Sequence, residues 1–256
     1  MQRLTPLDAP DPSPPRAAYR LAGSRAHPDT VTTPADLLAR ALADDGARPL
    51  LTYYDDDTGD RVELSVATTA NWVAKLANLL VDSYDVEPGD DVVVRLPLHW
   101  QTAIVLLACW SAGARVAFDG SGSVEFSTVE FSTVEFSTAD EPSDQARIVL
   151  GMAAMGGELA RLVAAEPDYF LPESPAGADL VEAAPVDLPH AARVLVTVGF
   201  DDPNALAYGL IGPLAVEGSA VLVVNPAPEQ VASHAVTERV THTLGISVDG
   251  LPRLDT

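Results

Sequence analysis

Residues 85–118 carry the most ordered hydrophobic pattern in the chain. A turn at Pro88, Gly89 and Asp90 leads into the run Val92-Val93-Val94. An apolar segment follows at residues 102–110, then Gly113, then a second β-run at residues 115–118. Strand, helix and strand within about thirty residues is the pattern of a parallel βαβ unit. The apolar segment lies between His99 and Arg115 and is too short for a bilayer, so it predicts a buried helix.

The same periodicities extend along the chain. Thr33-Pro34 predicts an N-cap with proline in the first turn, and Leu37, Leu38, Ala41 and Leu42 form a helical stripe behind it. Residues 49–54 and 61–64 read as strands around the turn Asp-Asp-Asp-Thr-Gly-Asp. Ser65 caps a helix whose apolar face holds Trp72, Leu76, Leu79 and Leu80. Residues 148–150 read as a short strand or helix start. Met152 and Met155 then read as core filling before another helix, and the proline-rich stretch 166–189 as an irregular connection. A second strand, helix and strand follow at 193–198, 204–215 and 220–224, then a helix at 229–239 and a strand at 240–244. The pattern predicts an α/β fold with a mainly parallel sheet, as a single domain over residues 31–256. Residues 1–30, with Pro10, Pro12, Pro14 and Pro15, read as a disordered arm without the apolar core of a secretory signal.

Residues 124–138 spell Val-Glu-Phe-Ser-Thr in tandem. Side chains on a strand alternate with period two, so an odd period turns each successive unit to the opposite face. One unit therefore reads as structural strand, and the other two as a loop or added hairpin that the core does not need.

Charge narrows the function classes. With 37 acidic against 15 basic residues and a net charge of −22, the chain lacks the clustered cations that nucleic acid or an anionic membrane demands. Neither is expected as a partner. Lys75 is the sole lysine and lies on an amphipathic helix, where it reads as a surface charge. Cys109 is the sole cysteine, which excludes a disulfide framework and fits a reducing cytoplasm.

Candidate chemistry is sparse. His234, Glu238 and His242 are spaced to form a metal face on one continuous helix, but Val240, Thr241, Thr243 and Gly245 favour a strand that removes His242. In the acidic turn, the register of a calcium loop fails at Gly59 and Asp60, which leaves a solvated turn. Gly120-Ser121-Gly122-Ser123 lacks the lysine and following helix of a phosphate loop, so it reads as a turn. No catalytic, cofactor-binding or metal-ligating residue is assigned, and no cofactor is expected. The candidate pocket residues are those that follow strand ends: His99 after the Val92 strand, and Asp201, Asp202 and Asn204 after the Arg193 strand. Each also reads as a helix cap or a polar loop residue.

The order of elements resembles the opening of adenylate-forming enzymes, the AMP-dependent synthetase and ligase superfamily. The resemblance is carried by LTYYDDDTGDRVELSVATTANWVAKLANLL, by VEPGDDVVVRLPLHWQTAIVLLACWSAGARVAF, by RVLVTVGFDDPNALAYGLIGPLAVEGSAVLVV and by ERVTHTLGI. It runs from about Thr33 to Ser247, and a small bacterial family of proteins of about this length looks similar throughout. The resemblance implies the fold of part of the N-terminal domain of these enzymes. The departures bear on activity. The superfamily's Ser/Thr/Gly-rich phosphate loop, ending in Gly-x-Pro-Lys-Gly, is expected between Gly151 and Arg193, where no such run and no lysine occurs. The adenine motif, the ribose-binding aspartate segment and the domain with the catalytic lysine have no counterpart, and Leu206 stands where many members carry histidine. ATP-dependent acyl transfer needs lysine, metal and backbone donors arrayed on the phosphates. The expectation is a non-catalytic pseudoenzyme with an interaction or regulatory role. The alternative is a small-molecule binder or enzyme that reuses the ancestral acyl or nucleotide crevice. Parallel strands made of continuous apolar runs must be covered on both faces, so self-association or a protein partner is also expected.

Overall fold

The computed structural model describes residues 33–128, 146–150, 157–170 and 187–254. The first helix, α1 (Pro34–Asp45), starts at a capping box. Thr33 Oγ1 accepts from the Asp36 N–H at 3.1 Å, and Asp36 Oδ2 accepts from the Thr33 N–H at 3.0 Å. A hairpin of β1 (Pro49–Asp55) and β2 (Asp60–Ser65) follows, then α2 (Val66–Tyr84), capped by Ser65.

The unit at residues 85–118 forms as β3 (Asp91–Arg95), α3 (Trp100–Ser111) and β4 (Arg115–Ala117), with its strands parallel. Every residue of α3 from Trp100 to Trp110 is buried. A helix apolar on all sides needs cover on all sides. It meets α1, α2 and β1 as well as its own flanking strands. Beyond it lie β5 (Val124–Thr128), β6 (Ala146–Leu150), α4 (Gly157–Leu162) and β7 (Arg193–Val196). Then come β8 (Ser219–Val224), a helix at Pro228–Thr237 and β9 (His242–Leu244).

The strands form two sheets. One has five strands in the order β2-β1-β8-β7-β9, and the other has four in the order β4-β3-β5-β6. Only the β1–β2 pairing is antiparallel. The two strand-helix-strand units therefore fall in different sheets, and α3 contacts strands of both.

The expected helix at 204–215 is interrupted. It forms as α5 (Pro203–Leu206), a π-turn (Ala207–Ile211) and α6 (Gly212–Ala215), in which the Gly212 N–H reaches back to the Ala207 carbonyl. Pro213 has no N–H to continue the α-helical ladder, and the wider turn absorbs the gap. The last helix, α7 (Pro228–Thr237), stops short of Arg239, which sits at φ 52°. The strands at 193 and 115 also end one or two residues earlier than the apolar runs that predict them.

The first Val-Glu-Phe-Ser-Thr unit is β5, paired in parallel with both β3 and β6. The other two units lie outside the described residues, as do the arm at residues 1–30, Met152, Met155 and residues 171–186. Residues 129–145 join two parallel neighbours. Such a crossover takes about a dozen residues or more. Among the described residues the exposed large apolar side chains are Tyr169 and Val236. Among those residues no helix is long and apolar enough to cross a membrane.

Candidate functional site

Of the four residues singled out from sequence, His99 has the most unusual surroundings. It is the N-cap of α3 and 1% exposed. The Gln101 N–H donates to its Nδ1 at 3.1 Å, which places the ring proton on Nε2. That Nε2 is buried and has no hydrogen-bond partner among the described residues. The ring packs edge-on against Tyr53 of β1 at 4.4 Å and lies 5.6 Å from the Trp100 ring. Burial pushes its pKa down to about 4, against a smaller upward pull from Asp55. A neutral imidazole with one unused donor is thus held at the carboxyl end of β3, against a strand of the other sheet.

The second group stays local. Asp202 is the N-cap of α5, and its Oδ1 accepts from the N–H groups of Asn204 at 2.7 Å and Ala205 at 3.4 Å. Asp201 is exposed, and a Cβ on Gly199 would meet its Oδ1 at 2.4 Å. His99 makes no hydrogen bond or ring contact with Asp201, Asp202 or Asn204. The two halves of the expected pocket belong to different sheets, and the described contacts do not bring them together.

A polar network absent from the sequence reading occupies the opposite face of the five-stranded sheet. Glu238, just past α7, accepts from the Tyr54 hydroxyl at 2.5 Å, from Arg61 at 2.9 Å and from Arg193. Arg193 also donates to Thr52 Oγ1 at 3.0 Å and to Ser219 Oγ at 3.1 Å. Burial alone would raise the Glu238 carboxyl, but hydrogen bonds from Tyr54 and Arg61 and the Arg193 charge bring it below its ordinary value. Next to it the His234 ring stacks on Tyr54 at 3.8 Å, and its Nε2 lies 2.8 Å from Asp56 Oδ1. Asp56 Oδ2 also accepts the Ala227 N–H at the start of α7, at 2.9 Å.

These contacts revise two readings of the sequence. The acidic turn is not simply solvated, because the Asp56 side chain is 3% exposed and anchors α7. His234 and Glu238 share an end of that helix but face ion-pair partners, and His242 begins β9 with its Nδ1 2.9 Å from Thr241 Oγ1. Among the described residues no three His, Cys, Asp or Glu side chains group as a metal site. The only signal in sequence was a row of polar residues, Thr52, Tyr54 and Arg61, on strands otherwise rich in apolar positions. Their partners in Arg193 and Glu238 lie 141 to 184 residues away.

Lys75, the one lysine, is held elsewhere. Its Nζ donates to the Glu166 carbonyl at 2.6 Å and lies 2.7 Å from Asp168 Oδ1, tying α2 to the stretch after α4.

No protein-family model matches the chain. A Mycobacterium tuberculosis (strain ATCC 25618 / H37Rv) protein described as "TIGR03089 family protein" is 35% identical over 254 residues, covering 84% of this chain and 100% of that protein. The acetyl-coenzyme A synthetase of Coprinopsis cinerea is 40% identical over 62 residues, 24% of this chain and 9% of that enzyme. Among solved structures, the N-terminal domain of FACL13 from Mycobacterium tuberculosis superposes with a TM-score of 0.67 at 14% identity, covering 83% of this chain and 62% of that one. The chain thus spans less than two thirds of that solved domain, and at this identity the likeness is one of fold.

Proposed function

The chain belongs to the TIGR03089 protein family and has a fold like the N-terminal domain of adenylate-forming enzymes; from that premise we propose a non-catalytic, adenylate-forming-enzyme-like protein with an interaction or regulatory role. The observation that carries the reading is Lys75. The superfamily's chemistry rests on lysines that meet phosphate and carboxylate, and the one lysine of this chain is spent on the Glu166 carbonyl and Asp168. The stretch between Gly151 and Arg193, where the phosphate loop belongs, holds no lysine and no Gly-x-Pro-Lys-Gly. Transition-state charge on a transferring phosphoryl group needs such donors in place.

Pyrophosphate release from Mg-ATP, measured with a panel of short-, medium- and long-chain carboxylic acids, tests this. No release above the protein-free rate is expected, and acid-dependent release overturns the reading. The interaction role has its own test. The chain carries −22 charge, so association between copies strengthens as salt screens the repulsion. Light scattering is expected to show a larger mass at high salt than at low salt, and a monomer at both removes the self-association half of the proposal.

His99 supports one further reading. A buried donor without an acceptor at the carboxyl end of a parallel strand is the type of group that orients a small ligand. A small-molecule binder built on the ancestral crevice is therefore the second proposal. It differs from the first in requiring saturable binding that is lost when His99 is replaced.

A further inference from the structure

Loops at the amino ends of β1, β7 and β8 enclose a cleft of about 320 Å³, on the edge of the sheet away from the strand ends considered above. Arg48, Arg193 and Arg239 line it, with Glu217, Ser219 and Glu238. In a chain of net charge −22, three arginines around one cleft is a local reversal of sign.

The hydrogen bonding of two of these arginines is incomplete. Arg48 donates from one terminal nitrogen to the Gly218 carbonyl, and its Nη2 is buried without a partner among the described residues. Arg193 uses both terminal nitrogens on Glu238, Thr52 and Ser219, and its Nε is buried without a partner among the described residues. A buried donor left unmade costs about 1–3 kcal/mol, more for a charged group. Among the described residues no carboxylate stands within ion-pair distance of Arg48. Burial holds its pKa below the ordinary arginine value, although Glu217, Asp45 and Asp44 raise it from farther off.

The charges around the cleft leave a positive remainder. Glu238 is already taken up by Tyr54, Arg61 and Arg193. Among the residues lining the cleft, Arg48 and Arg239 then stand against Glu217, which is exposed, while Asp44 and Asp45 act on Arg48 from farther off. The backbone here is costly as well: Ala191, Glu217 and Arg239 line the cleft and have φ of 57°, 56° and 52°, in the left-handed region that disfavours side chains. Two of these residues follow the carboxyl ends of α6 and α7, whose dipoles work against an anion. Affinity is therefore expected to be modest.

We propose that this cleft binds a small oxyanion, the carboxylate or phosphate group of a metabolite, with Arg48 and Arg193 as its donors. Guanidinium suits this task because its planar fork matches the oxygens of either group. Calorimetric titration with inorganic phosphate, and separately with citrate, at constant ionic strength, tests the proposal on the full chain. Saturable binding of at least one probe in the millimolar range is expected. Preference for phosphate or for citrate distinguishes the two sources of the oxyanion. Arg48→Gln is expected to weaken binding at least tenfold, and Glu217→Gln to tighten it several-fold by removing the competing carboxylate. If Arg48→Gln does not fold, judged by its circular dichroism, Glu217→Gln decides the matter. Failure of both probes to saturate overturns the proposal, as does an affinity unchanged by Arg48→Gln or by Glu217→Gln.

Discussion

Replacing His99 with asparagine should flatten the pH dependence of stability between pH 7.5 and pH 4. In the folded protein the buried ring stays neutral down to about pH 4. In the unfolded chain a histidine takes up its proton near pH 6.5. Between those values the unfolded state binds more protons, so stability falls as the pH falls through this window. The loss works out at about 2 kcal/mol by pH 5 and about 3 kcal/mol below pH 4. Asparagine can still cap α3 through its side-chain oxygen, in place of Nδ1, but it has no charge to gain. It gives up the ring contact with Tyr53, at a cost of about 1–2 kcal/mol at pH 7.5. Urea unfolding at pH 7.5 and pH 5 should therefore show the variant less stable at the higher pH, with the gap closed or reversed at the lower. Parallel pH profiles for the two proteins would refute the reasoning, because His99 would then be solvated or already charged in the native state.

Two further perturbations follow from the same contacts. Glu238→Ala leaves Arg193 and Arg61 without their shared carboxylate in a site where the Glu238 side chain is 7% exposed; a loss of about 2–4 kcal/mol is expected in chemical denaturation, discounted for the half-exposed Arg61. Deleting Val129–Thr133, one repeat unit, keeps β5 and leaves a crossover to β6 of workable length, so stability should change by no more than about 1 kcal/mol. Deleting both extra units shortens the connection below what parallel neighbours need, and should lower the unfolding midpoint well beyond that.

What the sequence made legible was local. The cap at Thr33, the cap at Ser65 and the turn, strand and apolar helix around Val92 and Trp110 all depend on residues within a turn or two of one another. Pairings across long separations were not legible. Hydrophobic periodicity gives the face of β1 but not its partner, and β1 pairs with β8, far along the chain. Asp56 read as a solvated turn residue because its partners, Ala227 and His234, are 171 and 178 residues away. Glu238 read as a solvated polar position, its place on a metal face having been rejected, and its real role was hidden for the same reason: the arginines that claim it come from β2 and β7. His99 was chosen for its place after a strand, and burial, which sequence does not display, is what makes it chemically distinct.

The proposal that this chain does not work as an ATP-dependent ligase is tested most directly by calorimetric titration with Mg-ATP. The sequence holds no Gly-x-Pro-Lys-Gly and its one lysine is bonded to the Glu166 carbonyl, so no saturable heat is expected in the micromolar range. A one-site isotherm in that range, retained in Arg48→Gln and so independent of the cleft at the amino ends of the strands, would contradict the account.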